Sequence, residues 1–276
     1  YEISLGLVGS EMCIRDRATG ARRGDLSRPL RYLYRLPLLV LHLLVGLPAT
    51  LLCLLPPLAA VPVGAETLGD RMIRWWSGGL MRIFGMRLRR FGTPLPGAVL
   101  FVANHVSWVD IEVMHSQRMM GFVAKREIAG WPLVGWLAAR GQTIFHQRGN
   151  TESMAGVIEA MEARLRQGRS VGVFPEGRTR DGREVGLFHA RIFQAAVEAG
   201  VPVQPVALRY GAHGQAQTTV AFGPGESFFA NFARLLGEPA RVAEVRFLEP
   251  VHVDDAVGRR HIAETARARI VEAMAA

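Results

Sequence analysis

From Leu36 to Ala65 the chain carries no Asp, Glu, Lys or Arg. As one helix these 30 residues would be roughly 45 Å long, more than a hydrocarbon core of about 30 Å. Pro48 interrupts the run, and Pro56-Pro57 is expected to end the helix, because proline lacks the N–H and clashes with the preceding turn. Residues 38–55 therefore either cross a bilayer with a kink or enter and return. Arg28, Arg31 and Arg35 precede the run, and Arg71, Arg74, Arg82, Arg87, Arg89 and Arg90 follow it. Basic residues on both sides favour a hairpin with both ends in the cytoplasm over a single span. Residues 68–91 read as an amphipathic helix, with Met72, Ile73, Trp76, Leu80, Ile83, Phe84 and Leu88 near helical spacing and arginines between them.

After Pro94 and Pro96 the pattern changes to strand, loop, helix. Strands are expected at residues 99–103, 121–124, 143–146, 171–174, 203–208, 218–222 and 243–247. Helices are expected near 108–114, 131–140, 151–167, 188–199, 227–236 and 255–274. Continuous apolar strands alternating with helices predict an α/β fold: a seven-stranded, mostly parallel mixed sheet flanked by helices, with an N-terminal membrane-associated helical hairpin. Residues 1–17 show no clear periodicity and resemble an adapter-derived translation, so they are set apart as non-native. Residues 18–92 are expected to form the membrane-associated part and 93–276 the α/β domain.

The formal net charge is +9, which suits an anionic partner such as a membrane surface or an acidic carrier protein. Nucleic acid is not expected, because the arginines cluster beside apolar segments. The chain's two cysteines, Cys13 and Cys53, lack metal-like spacing, and no metal is expected. Lys125 is the only lysine. Its place just after an expected strand makes it a site candidate, where a compact ammonium differs from a guanidinium.

Two segments at strand ends carry the chemistry. The first is Asn104-His105-Val106-Ser107-Trp108-Val109-Asp110. Residues five apart point away from each other on an unbroken helix. His105 and Asp110 meet only if His105 lies in the loop, and Ser107 three residues before Asp110 offers the spacing of a capping box there. An imidazole held by a carboxylate can accept a proton from an alcohol. Taken alone, the same spacing also suits a cap acid beside an incidental loop histidine. The second segment is Phe174-Pro175-Glu176-Gly177-Arg178-Thr179-Arg180. Arg178 there can grip an anion in a forked manner, while Glu176 either orients that arginine or binds a hydroxyl. By itself it also suits a solvated surface turn.

Together the two segments resemble the glycerolipid acyltransferase family, typified by 1-acylglycerol-3-phosphate acyltransferases. The resemblance covers roughly residues 91–250. Asn104-His105 with Asp110 is similar to its catalytic block. Thr143-Ile144-Phe145-His146-Gln147-Arg148 is similar to the second block, whose arginine is associated with the acceptor. Phe174-Pro175-Glu176-Gly177 is similar to the third, and Val201-Pro202-Val203-Gln204-Pro205-Val206 to the fourth.

The resemblance implies an O-acyltransferase with His105 as general base and Asp110 as its orienting acid. Acyl-CoA or acyl-carrier protein is the implied co-substrate, with no cofactor. It also implies substrate-binding roles for Asn104, Arg148, Glu176, Gly177, Arg178 and Arg180, and Lys125 joins them as a substrate-binding candidate on its own sequence position. The implied acceptor is a membrane lysophospholipid, 1-acylglycerol-3-phosphate first. The expected location is the cytoplasmic face of a bacterial inner membrane. Backbone N–H groups at the start of the following helix are the oxyanion donors expected.

Two departures matter. The third block continues Gly177-Arg178-Thr179-Arg180 where the family usually has Gly-Thr-Arg-Ser, so either arginine supplies the guanidinium. Phe188 is followed by His189-Ala190-Arg191 where the family often has a lysine pair and a glycine. Either Arg191 replaces that cation or the acceptor lacks the usual phosphate, which keeps a lyso-ornithine (aminolipid) acceptor open. A lipase-type hydrolase is the other alternative, weakened because no Gly-x-Ser-x-Gly elbow occurs.

Overall fold

The computed structural model describes residues 25–131, 134–146, 151–253 and 258–276. The segment 1–17 lies outside them. The described chain opens with a helical rod: α1 (Arg28–Leu41), a π-helical turn (His42–Gly46) and α2 (Leu47–Cys53). Pro48 does not break it. The π turn moves the bonding ahead of the proline, so that the Leu47 N–H donates to the His42 carbonyl. The rod ends before Pro56-Pro57, as expected. A two-stranded ribbon, β1 (Pro62–Val63) with β2 (Glu66–Thr67), leads into α3 (Leu68–Ile83), capped by the Thr67 hydroxyl. Helix α3 packs back along α2, the π turn and α1, which makes the hairpin.

The main sheet begins with β3 (Met86–Phe91) and continues with β4 (Leu100–Ala103), followed by α4 (Val109–His115). Next come β5 (Gly121–Lys125), α5 (Arg126–Ala129), α6 (Val134–Arg140), β6 (Ile144–His146) and α7 (Thr151–Arg166). The chain goes on through β7 (Val171–Val173), α8 (Gln194–Ala199), β8 (Val203–Tyr210), α9 (Gln217–Val220) and α10 (Phe228–Leu236). It ends with β9 (Arg241–Phe247) and α11 (Arg259–Ala275). The strand order is β3-β9-β8-β4-β7-β5-β6. All neighbours pair in parallel except β8 with β9.

The seven-stranded mixed sheet is the one expected, but two of its assignments change. Residues 218–222 are not a strand, because a short β-branched run does not by itself distinguish strand from helix. There α9 tucks Val220 and Ala221 into the core. The seventh strand is instead β3, which the sequence reading joins to the preceding helix. Gly85 makes the break. Its φ of +76° suits glycine, and an added Cβ would collide with the Arg35 guanidinium.

The sheet is covered on both faces. Along β4, Phe101 and Ala103 face a core shared with Met81, Phe84, Val109, Val113 and Leu235 from α3, α4 and α10. Leu100 and Val102 face Met161, Leu165, Ala196 and Ile262 from α7, α8 and α11.

The N-terminal rod docks onto the end of α10. Arg35 is buried, and its Nη1 donates to the carbonyls of Leu236 (2.9 Å) and Glu238 (2.7 Å). Arg31 Nε donates to the Gly237 carbonyl at 2.6 Å. These cations complete the carbonyl end of a helix, where positive charge is favoured.

Candidate active site

Strand β4 lies between β7 and β8, parallel to both. The carboxyl ends of the three strands are therefore adjacent, the position where open α/β sheets place their ligands. The two chemical segments follow β4 and β7, so neighbouring strands bring together residues some seventy positions apart in sequence.

His105 stays in the loop after β4, and Asp110 sits in the first turn of α4. His105 Nδ1 is 2.8 Å from Asp110 Oδ2. The same oxygen accepts the Val106 N–H at 2.7 Å and the Ser107 N–H at 2.9 Å. The Ser107 bond is the acid half of a capping box. The carboxylate is fully buried, and four donors compensate it: these three and the Tyr210 hydroxyl, 2.5 Å from Oδ1. The imidazole is stacked on Phe174, with centroids 3.9 Å apart and planes 12° apart. Its Nε2 makes no hydrogen bond among the described residues. This arrangement fits an imidazole with Nδ1–H donated to the acid and Nε2 unprotonated, ready to take a proton.

Four of the N–H groups around the helix start, where an oxyanion is expected to bind, are otherwise engaged. Val106 and Ser107 donate to Asp110, the Val109 N–H points to Ser107 Oγ, and the Asp110 N–H to the Ser107 carbonyl. A buried carboxylate accepts the nearest donors, and α4 has one turn before its own ladder takes over.

The loop after β7 is tied to the histidine from below. Glu176 is buried, with Oε1 accepting the His105 N–H at 2.9 Å. Its Oε2 accepts the Gly186 N–H at 2.9 Å and Arg180 Nε at 3.2 Å. Burial pushes its carboxyl above the usual range, while the Gly186 and His105 N–H groups and Arg180 pull it back. The Arg180 N–H in turn donates to the His105 carbonyl at 2.8 Å. Gly177 turns the loop with φ +71°. Beyond it, a hollow of about 300 Å³ is lined by Arg178, Thr179, Arg180, Asp181 and Glu184.

The expected site residues thus fall into groups. His105, Asp110, Glu176 and Arg180 form one bonded cluster. Gly177 turns the loop beside it, and Arg178 and Arg180 face the hollow. Asn104 is buried and turned toward the sheet, its amide bonded to both the N–H and carbonyl of Leu208 at 2.9 and 3.0 Å. Arg191 stands exposed on a short 3-10 turn, its guanidinium without a hydrogen bond among the described residues. Lys125 closes β5, but its side chain is not described. Arg148 lies outside the described residues. The sequence reading missed Tyr210. Its signal was a lone tyrosine at the end of a continuous apolar strand, where a buried hydroxyl needs a partner.

Comparison with known proteins identifies the family. An acyltransferase family model matches residues 90–209. The chain is 34% identical over 184 residues to the lyso-ornithine lipid O-acyltransferase of Pseudomonas aeruginosa, covering 67% of this chain and 71% of that protein. It is 31% identical over 250 residues to the lyso-ornithine lipid O-acyltransferase of Rhizobium meliloti, covering 84% and 82%. With the 1-acyl-sn-glycerol-3-phosphate acyltransferase of Neisseria gonorrhoeae it shares 38% identity over 126 residues, 46% of this chain and 49% of that protein. The crystal structure of the 1-acyl-sn-glycerophosphate acyltransferase PlsC from Thermotoga maritima superposes with a TM-score of 0.65 at 19% identity, covering 90% of this chain and 97% of that one. That likeness concerns the fold. The family follows from the two lyso-ornithine lipid O-acyltransferases, each covered over more than two thirds of its length at above 30% identity: the chain belongs to the acyltransferases.

Proposed function

We propose that this enzyme moves a fatty acyl chain from an acyl thioester, acyl-CoA or acyl-carrier protein, to the free hydroxyl of a membrane lysolipid. His105 Nε2 takes the hydroxyl proton. The alkoxide oxygen bonds to the thioester carbonyl carbon, the carbon–sulfur bond breaks, and the proton passes from His105 to the departing thiolate. Asp110 holds the ring in the tautomer that leaves Nε2 free and stabilises the imidazolium once formed. The observation that carries this reading is the 2.8 Å His105–Asp110 contact with Nε2 unengaged. A thioester is already activated, so no acyl-enzyme is needed.

The hollow next to Arg180 favours a zwitterionic acceptor. Arg178 and Arg180 suit a carboxylate and Glu184 suits an ammonium, while Asp181 already faces Arg183 Nε at 3.7 Å. A lyso-ornithine headgroup carries one of each, whereas a phosphate would meet two like charges. The two lyso-ornithine relatives also align over more of the chain than the glycerophosphate one. We therefore place lyso-ornithine lipid first and 1-acylglycerol-3-phosphate second. Lys125, Arg148 and Arg191 remain proposed acceptor contacts. The rod Arg28–Cys53 is 26 residues long and contains an 18-residue stretch of mean hydropathy 2.2, long and apolar enough to cross a bilayer. On our reading it holds the enzyme at the cytoplasmic face of the inner membrane.

The test is an acceptor panel of lyso-ornithine lipid, lysophosphatidic acid and other lysophospholipids, each offered both donors and read by mass spectrometry. At least tenfold higher kcat/KM for lyso-ornithine lipid is the expected result. Preference for lysophosphatidic acid would move the assignment to the second reading, and no transfer to any hydroxyl would overturn it.

A further inference from the structure

The Tyr210 hydroxyl is built into the acid of the proposed base pair, and nothing in the motif pattern assigns it a part. Tyr210 is fully buried at the end of β8, on the opposite side of β4 from the Glu176 loop. Its hydroxyl donates to Asp110 Oδ1 at 2.5 Å, while Oδ2 holds His105. Burial and then the Asp110 charge hold the phenol well above its ordinary value, so it remains a donor throughout the working range.

The strand end that carries this tyrosine is itself fixed by two buried amides. Gln217 accepts the Tyr210 N–H at 3.0 Å and donates to the Leu208 carbonyl at 3.0 Å. Asn104, next to His105, holds Leu208 from the other strand. A closed chain of bonds therefore runs from His105 through Asp110, Tyr210, Gln217 and Leu208 to Asn104. It fixes the carboxylate plane from the side that His105 does not touch.

We infer that Tyr210 is a positioning residue for acyl transfer: its hydroxyl orients Asp110 and tempers how strongly Asp110 accepts the His105 Nδ1–H. This rests on the reading of His105 as the base. Without the hydroxyl, Oδ1 is left buried and unpaired, and the carboxylate draws the imidazole proton more strongly. The other charged groups facing the pair among the described residues are Glu176 and Arg180, both from the loop after β7. Neither touches the Tyr210 hydroxyl, so neither changes with it.

The test uses the full chain in lipid vesicles, with palmitoyl-CoA and lyso-ornithine lipid, over a pH series. Tyr210→Phe is expected to lower kcat roughly tenfold with the donor KM unchanged. It should also move the acid limb of the kcat/KM profile up by about half a pH unit, the scale of one lost hydrogen bond. In an Asp110→Asn background the same change should cost less than twofold, because the two act through one contact. Should the phenylalanine variant fold poorly, 3-fluorotyrosine at position 210 keeps the packing and strengthens the donor. The acid limb should then move down. An acid limb that stays in place in both variants, or a Tyr210→Phe cost as large without Asp110 as with it, would overturn the inference. Inactivity of His105→Ala alongside such a result would leave the base assignment standing.

Discussion

Asp110 and Glu176 are both buried carboxylates, yet they are built for different tasks. Asp110 accepts four donors, one of which is the imidazole that it orients. Glu176 touches no reacting group in this arrangement; it joins the two loops by accepting the His105 and Gly186 N–H groups. Glu176→Gln would present an NH₂ to one of those N–H donors. The expected cost is about 1–3 kcal/mol of stability, the range for a buried donor left unpaired, read as a lower urea midpoint at unchanged slope. An unchanged midpoint would show that the loop has another anchor. At this scale the motifs were legible as residue types, because the loop position of a histidine and a carboxylate five residues on admit few geometries. The role of Glu176 was not: spacing alone does not distinguish a carboxylate that binds substrate from one that binds backbone. Tyr210 was hidden for a related reason, since its partner lies 100 positions away.

Helix α10 is the element that ties the site to the N-terminal rod. Its far end receives Arg31 and Arg35. At its start, Glu226 accepts Arg234 Nε at 2.7 Å and Asn231 Nδ2 at 2.9 Å, and Asn231 accepts Trp108 Nε1 at 3.0 Å beside the histidine loop. Hydrogen bonding from Arg234, with help from Gly223 and Asn231, lowers the Glu226 carboxyl to about 2. A depressed carboxyl stabilises the fold above its unfolded value of 4.5 and loses that contribution as pH falls toward 2. Glu226→Gln should therefore flatten the fall in stability between pH 4.5 and 2 by about 1–2 kcal/mol, allowing for solvent around the pair. Parallel acid-unfolding curves for the two proteins would contradict this. Most helices were readable from periodicity. The β3 edge strand was not, because its alternation of Met86, Arg87, Leu88 and Arg89 follows a helix with no loop long enough to mark the change.

Over the whole molecule, one side of the N-terminal rod packs on the domain while the other is bare. Leu30, Leu33, Leu41, Leu44, Leu52 and Leu55 recur at near-helical intervals and are 45–72% exposed. The opposite side buries Leu39 and Leu47. A stripe of that kind calls for lipid. Leu33→Glu with Leu44→Glu should reduce co-sedimentation with anionic vesicles at least tenfold while the domain melts at its usual temperature; undiminished vesicle binding would place the membrane contact elsewhere. The sequence reading reached this apolar run but not its rigid seating, which depends on a buried arginine meeting a helix end about two hundred residues later. The central claim is that the loop imidazole after β4 is the base for acyl transfer. Its most direct measure is the transfer of a labelled acyl chain to a lysolipid by purified, folded His105→Ala. A loss of at least about a thousandfold in kcat is predicted, and turnover near that of the unaltered enzyme would contradict the account.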